Sequence, residues 1–173
     1  MYNTYNMIII KKYGYLKYKN FKFRCSLGKA GVKKKIKEGD NITPKGTFRL
    51  LKVFYRSDKI KKIKTILKKI KIKKNFGWCD DPNSNFYNKL IKLPFRGSYE
   101  KLYRADNIYD LLIVLNYNTN PIIKNKGSAI FIHVAKKNFS NTAGCIGLAK
   151  EDLLILLANI KKKNKNKNTI KII

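Results

Sequence analysis

The sequence predicts a mainly β, single-domain fold with one or two short helices, and three observations carry that expectation. Short β-branched and aromatic segments follow one another between Gly and Asn residues near the start. Two strongly apolar runs of strand length lie at 109–118 and 128–135, and only the stretch beyond Ala149 holds a leucine-rich helical pattern. At 173 residues the chain is long enough to bury about two-thirds of its unfolded surface around one core.

The elements follow in order. "MIIIKK", "GYLKY" and "FKFRCSLG" read as a hairpin-rich β start. "GDNITPKGTFRLLKVFYR" (39–56) turns at Gly39-Asp40, turns again around Pro44 and Gly46, and enters a strand from Thr47 to Tyr55. In 60–72 a helical spacing of Ile60, Ile63, Leu67 and Ile70 competes with a Lys-Ile alternation, and the expectation is a loop followed by a strand. "FGWCDDPNSNFYNKLIKLPFRGSYEKLYR" (76–104) is rich in turn formers and aromatics without sustained periodicity, which predicts long ordered loops. "YDLLIVLNYN" and "SAIFIHVA" are apolar enough for central strands. The helix after Ala149 has Glu151 and Asp152 in its first turn and Lys161 to Lys163 at its end, both suited to the helix dipole, and "TIKII" returns as a last strand. Because Met7 begins the strand pattern, 7–173 is expected to be the domain and 1–6 a leader or a mis-called start.

The formal charge of +30 draws the chain toward polyanions, while 44% apolar residues exclude disorder. Lys, Asn and Ile are inflated together, as in "IKKIKTILKKIKIKK" (60–74), a stretch in which no aromatics interleave with the lysines as on a base-stacking surface. Compositional drift therefore outweighs a dedicated nucleic-acid site. Cys25, Cys79 and Cys145 form no CxxC pair, so neither a disulfide framework nor a zinc ribbon is indicated, and no metal or cofactor is expected. The apolar run Met7 to Ile10 is shorter than the core of a secretory signal, and nothing later approaches a membrane span. Read literally, the chain is soluble and cytoplasmic.

The chemistry concentrates in "AIFIHVAKKNFSNTAGCIGL" (129–148), which holds the only histidine, His133, and then Cys145 in a small-residue turn. A cysteine thiol, with a free pKa of about 8.5, needs an imidazole or a helix N-terminus to act as a nucleophile. Cys145 has a histidine upstream and a helix downstream. The competing reading is a satisfied core histidine and a small buried thiol. Against it stand an imidazole in an apolar strand and a cysteine placed between Gly144 and Gly147 rather than on a packed face. Gly144 lets the chain turn sharply, so that backbone N–H groups of Gly144 and Cys145 can face a developing oxyanion. Asp80 and Asp81, a rare acidic pair, are candidates for binding a substrate ammonium, or form a turn beside Trp78 and Pro82. Ser128 and Thr142 are candidates for substrate hydrogen bonds or for satisfying loop backbone.

"GDNITPKGTFRL" together with "GSAIFIHVAKKNFSNTAGCIGL" resembles the L,D-transpeptidase catalytic domain (YkuD-like) family, whose motif is a strand ending in His, a loop, then Ser/Thr-x-Gly-Cys. Thr142-Ala143-Gly144-Cys145 matches that last element. The similarity spans most of the chain, from about Met7 to the final strand. It departs from the family in having Ala143 where many members carry a second histidine, and Gly147 where they carry Arg or Asn. The resemblance implies a mixed β-sheet or sandwich fold, peptidoglycan stem peptides as partners, and a place in the periplasm or cell envelope. It further implies acyl transfer through a Cys145 thioester, with His133 as base and the Val134 carbonyl orienting the ring. An L,D-carboxypeptidase using the same pair and a non-catalytic polyanion-binding protein are the alternatives.

Overall fold

The computed structural model describes residues 7–161 and 168–173. The expected leader, 1–6, and the helix-end residues Lys162 and Lys163 lie outside the described residues.

Three antiparallel strands open the chain: β1 (Ile8–Lys11), β2 (Tyr15–Tyr18) and β3 (Phe21–Ser26). Their alternation places Ile8, Ile10, Leu16 and Phe23 in the core and lysines outside, as a pleated strand requires. Gly14 closes the first turn at φ +81°, and a Cβ there would lie 2.9 Å from the Cys25 carbonyl, so only glycine lets β3 pass so close. Two residue pairs, β4 (Val32–Lys33) and β5 (Thr43–Pro44), form a small parallel bridge before β6 (Gly46–Tyr55).

Strand β6 is the joint of the fold. Its first half pairs with β14 (Thr169–Ile172), and its second half pairs with β7 (Lys68–Lys71) on one edge and β11 (Leu111–Leu115) on the other. From β11 the ladder continues through β12 (Phe131–Val134) and β13 (Ile146–Leu148) to β3, β2, β1 and β14, and so returns to β6. The closed circuit leaves these strands no free edge, which is how a β fold avoids edge-to-edge association. Pairs β12–β13 and β1–β14 are parallel and the other contacts of the circuit antiparallel, so the sheet is mixed.

Every strand of the circuit contributes to one apolar cluster, including Ile10, Leu16, Val53, Ile113, Ile132, Ile146 and Ile170. Helix α1 (Lys150–Asn159) adds Leu153, Leu156 and Leu157 to it. The opposite face of β11 and β12 carries Leu112, Val114 and Phe131 into a second cluster with Phe54, Phe76 and Trp78. Both faces of these strands are buried, which explains why they read as unbroken apolar runs.

The mainly β, single-domain expectation holds, with corrections at the level of elements. Residues 76–104 are not only loops: β8 (Phe76–Cys79), β9 (Leu90–Lys92) and β10 (Tyr99–Lys101) form an antiparallel sheet. These strands are too short for a period to show, and they are held by packing of Trp78 on Phe54 and Phe131. The helix ends at Asn159, so Lys161 lies beyond it and the last turn holds no basic residue. Ile160 turns to an extended conformation because its side chain is buried in the main core.

Candidate active site

Parallel strands β12 and β13 set the site. Their register opposes His133 to Gly147 and Ile132 to Ile146. Since Ile132 and Ile146 enter the main core, alternation turns Phe131, His133, Cys145 and Gly147 to the other face. His133 and Cys145 are thus diagonal neighbours, Cys145 lying just before β13 and two residues ahead of the Gly147 that His133 opposes.

Cys145 is 9% exposed. Its Sγ donates to the Ala129 carbonyl at 3.0 Å and accepts the Phe131 N–H at 3.4 Å. Burial, reinforced by the negative charge of Glu100, pushes the thiol up to about 12, so it rests protonated. Burial pushes His133 the other way, down to about 4. Its Nδ1 lies 2.9 Å from the Val134 carbonyl. A carbonyl only accepts, so Nδ1 carries the proton and Nε2 keeps the lone pair of a base. Among the described residues no hydrogen bond joins Cys145 Sγ to the ring. The resting site is a neutral thiol, packed in the second apolar cluster, and a neutral imidazole turned to the same face of the strand pair.

The turn before Cys145 is built around Thr142. Its hydroxyl donates to the Cys145 carbonyl at 2.6 Å and accepts the Gly144 N–H at 3.1 Å. Its backbone is bonded in turn to Leu27 and Lys29. Gly144 sits at φ +135°, where a Cβ would lie 2.8 Å from the Ile42 carbonyl. The position is closed to any other residue, which fixes the turn that carries Cys145.

His133, Thr142 and Ala143 line a cavity of about 390 Å³ together with Ser26, Glu100 and Tyr109. The Tyr109 ring meets the imidazole edge-on at 5.5 Å between centres, and its hydroxyl donates to Glu100 Oε2. Burial raises both the Tyr109 hydroxyl and the Glu100 carboxyl above their ordinary ranges. Arg104 also lines the cavity, with its guanidinium 2.5 Å from Asp106 Oδ2 and 5.3 Å from the Tyr109 ring centre.

Other residues singled out from the sequence fall elsewhere. Asp81 Oδ1 accepts the Asn83 N–H at 2.9 Å and so forms a turn. Asp80 does not line the cavity; its Oδ1 is buried without a hydrogen-bond partner among the described residues, and its charge contributes to raising Glu100. Ser128 is buried beside Tyr87, outside the cavity.

Glu100, Tyr109, Arg104 and Ser26 escaped the sequence reading because they come from separate segments. Glu100 offered one signal, as one of only 10 acidic residues in the chain. The family described as L,D-transpeptidase catalytic domain, YkuD, matches residues 5–172, and the chain belongs to that family. No curated protein matches it significantly. The family acts on peptidoglycan and is associated with the cell envelope. Among the described residues no helix is long and apolar enough to cross a membrane.

Proposed function

We propose that residues 7–173 form the catalytic domain of a cysteine-dependent L,D-transpeptidase of the cell envelope. The observation that carries the reading is that Cys145, just before β13, and His133 on β12 turn to the same face of this strand pair, with His133, Thr142 and Ala143 lining the adjoining cavity and the Cys145 thiol packed behind it in the second apolar cluster.

As the donor stem enters, the Cys145 side chain rotates from the Ala129 carbonyl toward Nε2 of His133. An ion pair does not form in advance, because burial opposes charge on both groups. Proton transfer from sulfur to Nε2 therefore accompanies attack of sulfur on the carbonyl of the third stem residue. The Cys145 N–H supports the oxyanion, and the Gly144 N–H joins it by exchanging away from the Thr142 hydroxyl. His133 returns the proton to the departing amine of the terminal D-residue as the carbon–nitrogen bond breaks, leaving a thioester on Cys145. An amine of a second stem then attacks the thioester and gives its proton to His133. Collapse expels sulfur, which takes that proton and restores the thiol. The Val134 carbonyl holds the imidazole in the required tautomer throughout, and Tyr109 supports the ring at its edge.

Intact-mass measurement after exposure to a carbapenem or a tetrapeptide donor tests the reading. One adduct is expected, on Cys145, absent from Cys145→Ala. An adduct that persists in Cys145→Ala, or that maps to Cys25, would refute it. Product analysis with an amine acceptor then separates cross-linking from hydrolysis of the thioester.

A further inference from the structure

We infer that Ser26 and Lys136 bind the free carboxylate of the donor's leaving residue, so that the site reads a chain end rather than an internal peptide bond. The inference rests on the acyl-transfer reading above.

Ser26, Gly147 and His133 lie in one row across three strands. Gly147 is opposed to Ser26 on β3 and to His133 on β12. Ser26 lines the same cavity as His133 but is only 4% exposed, and its Oγ has no hydrogen-bond partner among the described residues. A buried hydroxyl without a partner carries a desolvation cost and calls for an explanation. Gly147 is what makes room for it: a Cβ built there would lie 2.3 Å from Ser26 Oγ. The hydroxyl therefore occupies the space above Gly147, one register position from the imidazole.

The same point lies 3.1 Å from Cα of Ala135, which brings the start of the following loop against Ser26. The next residue, Lys136, is exposed, lines the cavity and makes no ion pair among the described residues. The other charged groups of the cavity are differently disposed. Arg104 is paired with Asp106, Glu100 accepts the Tyr109 hydroxyl, and Lys101 lies on β10 in the small sheet.

The chemistry supplies the direction. His133 must protonate the departing amine, so the leaving residue sits on the imidazole side of Cys145, and its carboxyl end extends along the row toward Gly147. There it meets one hydroxyl donor and one ammonium, a pair suited to a carboxylate and poorly suited to a neutral amide.

The test compares a tetrapeptide donor with its C-terminal amide, following acylation of Cys145 by intact mass. The wild-type protein should favour the acid by about tenfold or more, the ordinary effect of losing a charge-assisted hydrogen bond. Ser26→Ala and Lys136→Gln should each slow the acid about tenfold, leave the amide within about twofold, and leave iodoacetamide alkylation of Cys145 unchanged. Lys136 is exposed, so that variant tests the idea even if Ser26→Ala folds poorly. Equal losses on acid and amide, or no loss on either, would overturn the carboxylate site while leaving the nucleophile intact. Failure of both donors to acylate the wild-type protein would instead overturn the catalytic reading, and this inference with it.

Discussion

Asn88 shows how a single side chain outside the cavity positions the Cys145 thiol. It is 5% exposed, and its amide uses both ends. Oδ1 accepts from Trp78 Nε1 and from the Ala129 N–H, each at 3.0 Å, while Nδ2 donates to the Tyr117 and Asn118 carbonyls at 3.1 and 2.6 Å. Ala129, held this way, presents the carbonyl that receives the Cys145 thiol. Asn88→Ala would orphan donors and acceptors together and should cost at least about 3 kcal/mol. Asn88→Asp should also destabilise, because a carboxylate cannot donate to two carbonyls. Urea unfolding checks both, and a loss under about 1 kcal/mol for the alanine variant would contradict the role. His133 allows a second prediction. Its folded pKa of about 4 lies below the ordinary value of about 6.5, so between these values the unfolded chain binds more protons than the native one. Its contribution is therefore present above about pH 6.5 and is lost as pH falls through about 4, on the order of 3 kcal/mol. The difference in stability between wild type and His133→Gln should change across that window and be flat above it. At neutral pH His133→Ala should lower acylation by about 10²–10⁴ while the protein stays folded. Wild-type acylation kept at full rate in that variant would make the histidine structural.

At the scale of elements, α1 begins with a defect that sequence and structure expose together. Its N-cap is Ala149, with cap-like extended ψ of 146° but no side chain to accept a hydrogen bond from the first turn. Glu151 and Asp152 compensate through the helix dipole alone. Ala149→Ser supplies the missing acceptor and should raise stability by about 1 kcal/mol in denaturant titration; no gain would mean that another group already satisfies those N–H donors. The position of this helix was legible because anionic, apolar and polar residues follow one another in the order a helix demands. Strand β6 was legible to within a residue, from turn formers followed by a long β-rich run. The lean toward a loop and then a strand in 60–72 also fits β7, although Ile60 and Ile63 bury themselves without helical structure. What sequence could not convey was the sheet β8–β10, where strands of 3 to 4 residues leave no periodic trace. It conveyed the turn around Cys145 but not the residues facing it. Tyr109 meets His133, and Glu100 meets Tyr109, only because β10 and the residues before β11 are folded against β12, and such proximity has no local signature.

The whole molecule carries a formal charge of +30, yet only four ion pairs form among its described residues. Most of the positive charge is therefore solvated and mutually repulsive in the compact state, and less so when the chain expands. Two consequences separate general charge from a dedicated polyanion site. Self-repulsion is screened over about 10 Å at 0.1 M salt and about 3 Å at 1 M, so raising sodium chloride through this range should increase stability toward urea. DNA should bind with an affinity that falls steeply and linearly on a double-logarithmic salt scale, without sequence preference, because only phosphate neutralisation contributes. Acylation of Cys145 should be insensitive to that DNA once salt has released it, since the cavity beside His133 is formed by the fold and not by a bound polymer. The measurement is a salt series with urea titration, DNA binding and carbapenem acylation followed in parallel. Stability that falls with salt would show that surface repulsion is not the dominant electrostatic effect. A sequence-selective DNA complex that survives high salt would show that the lysines are organised for recognition, and the basic character of the chain would then belong to its function rather than to its composition.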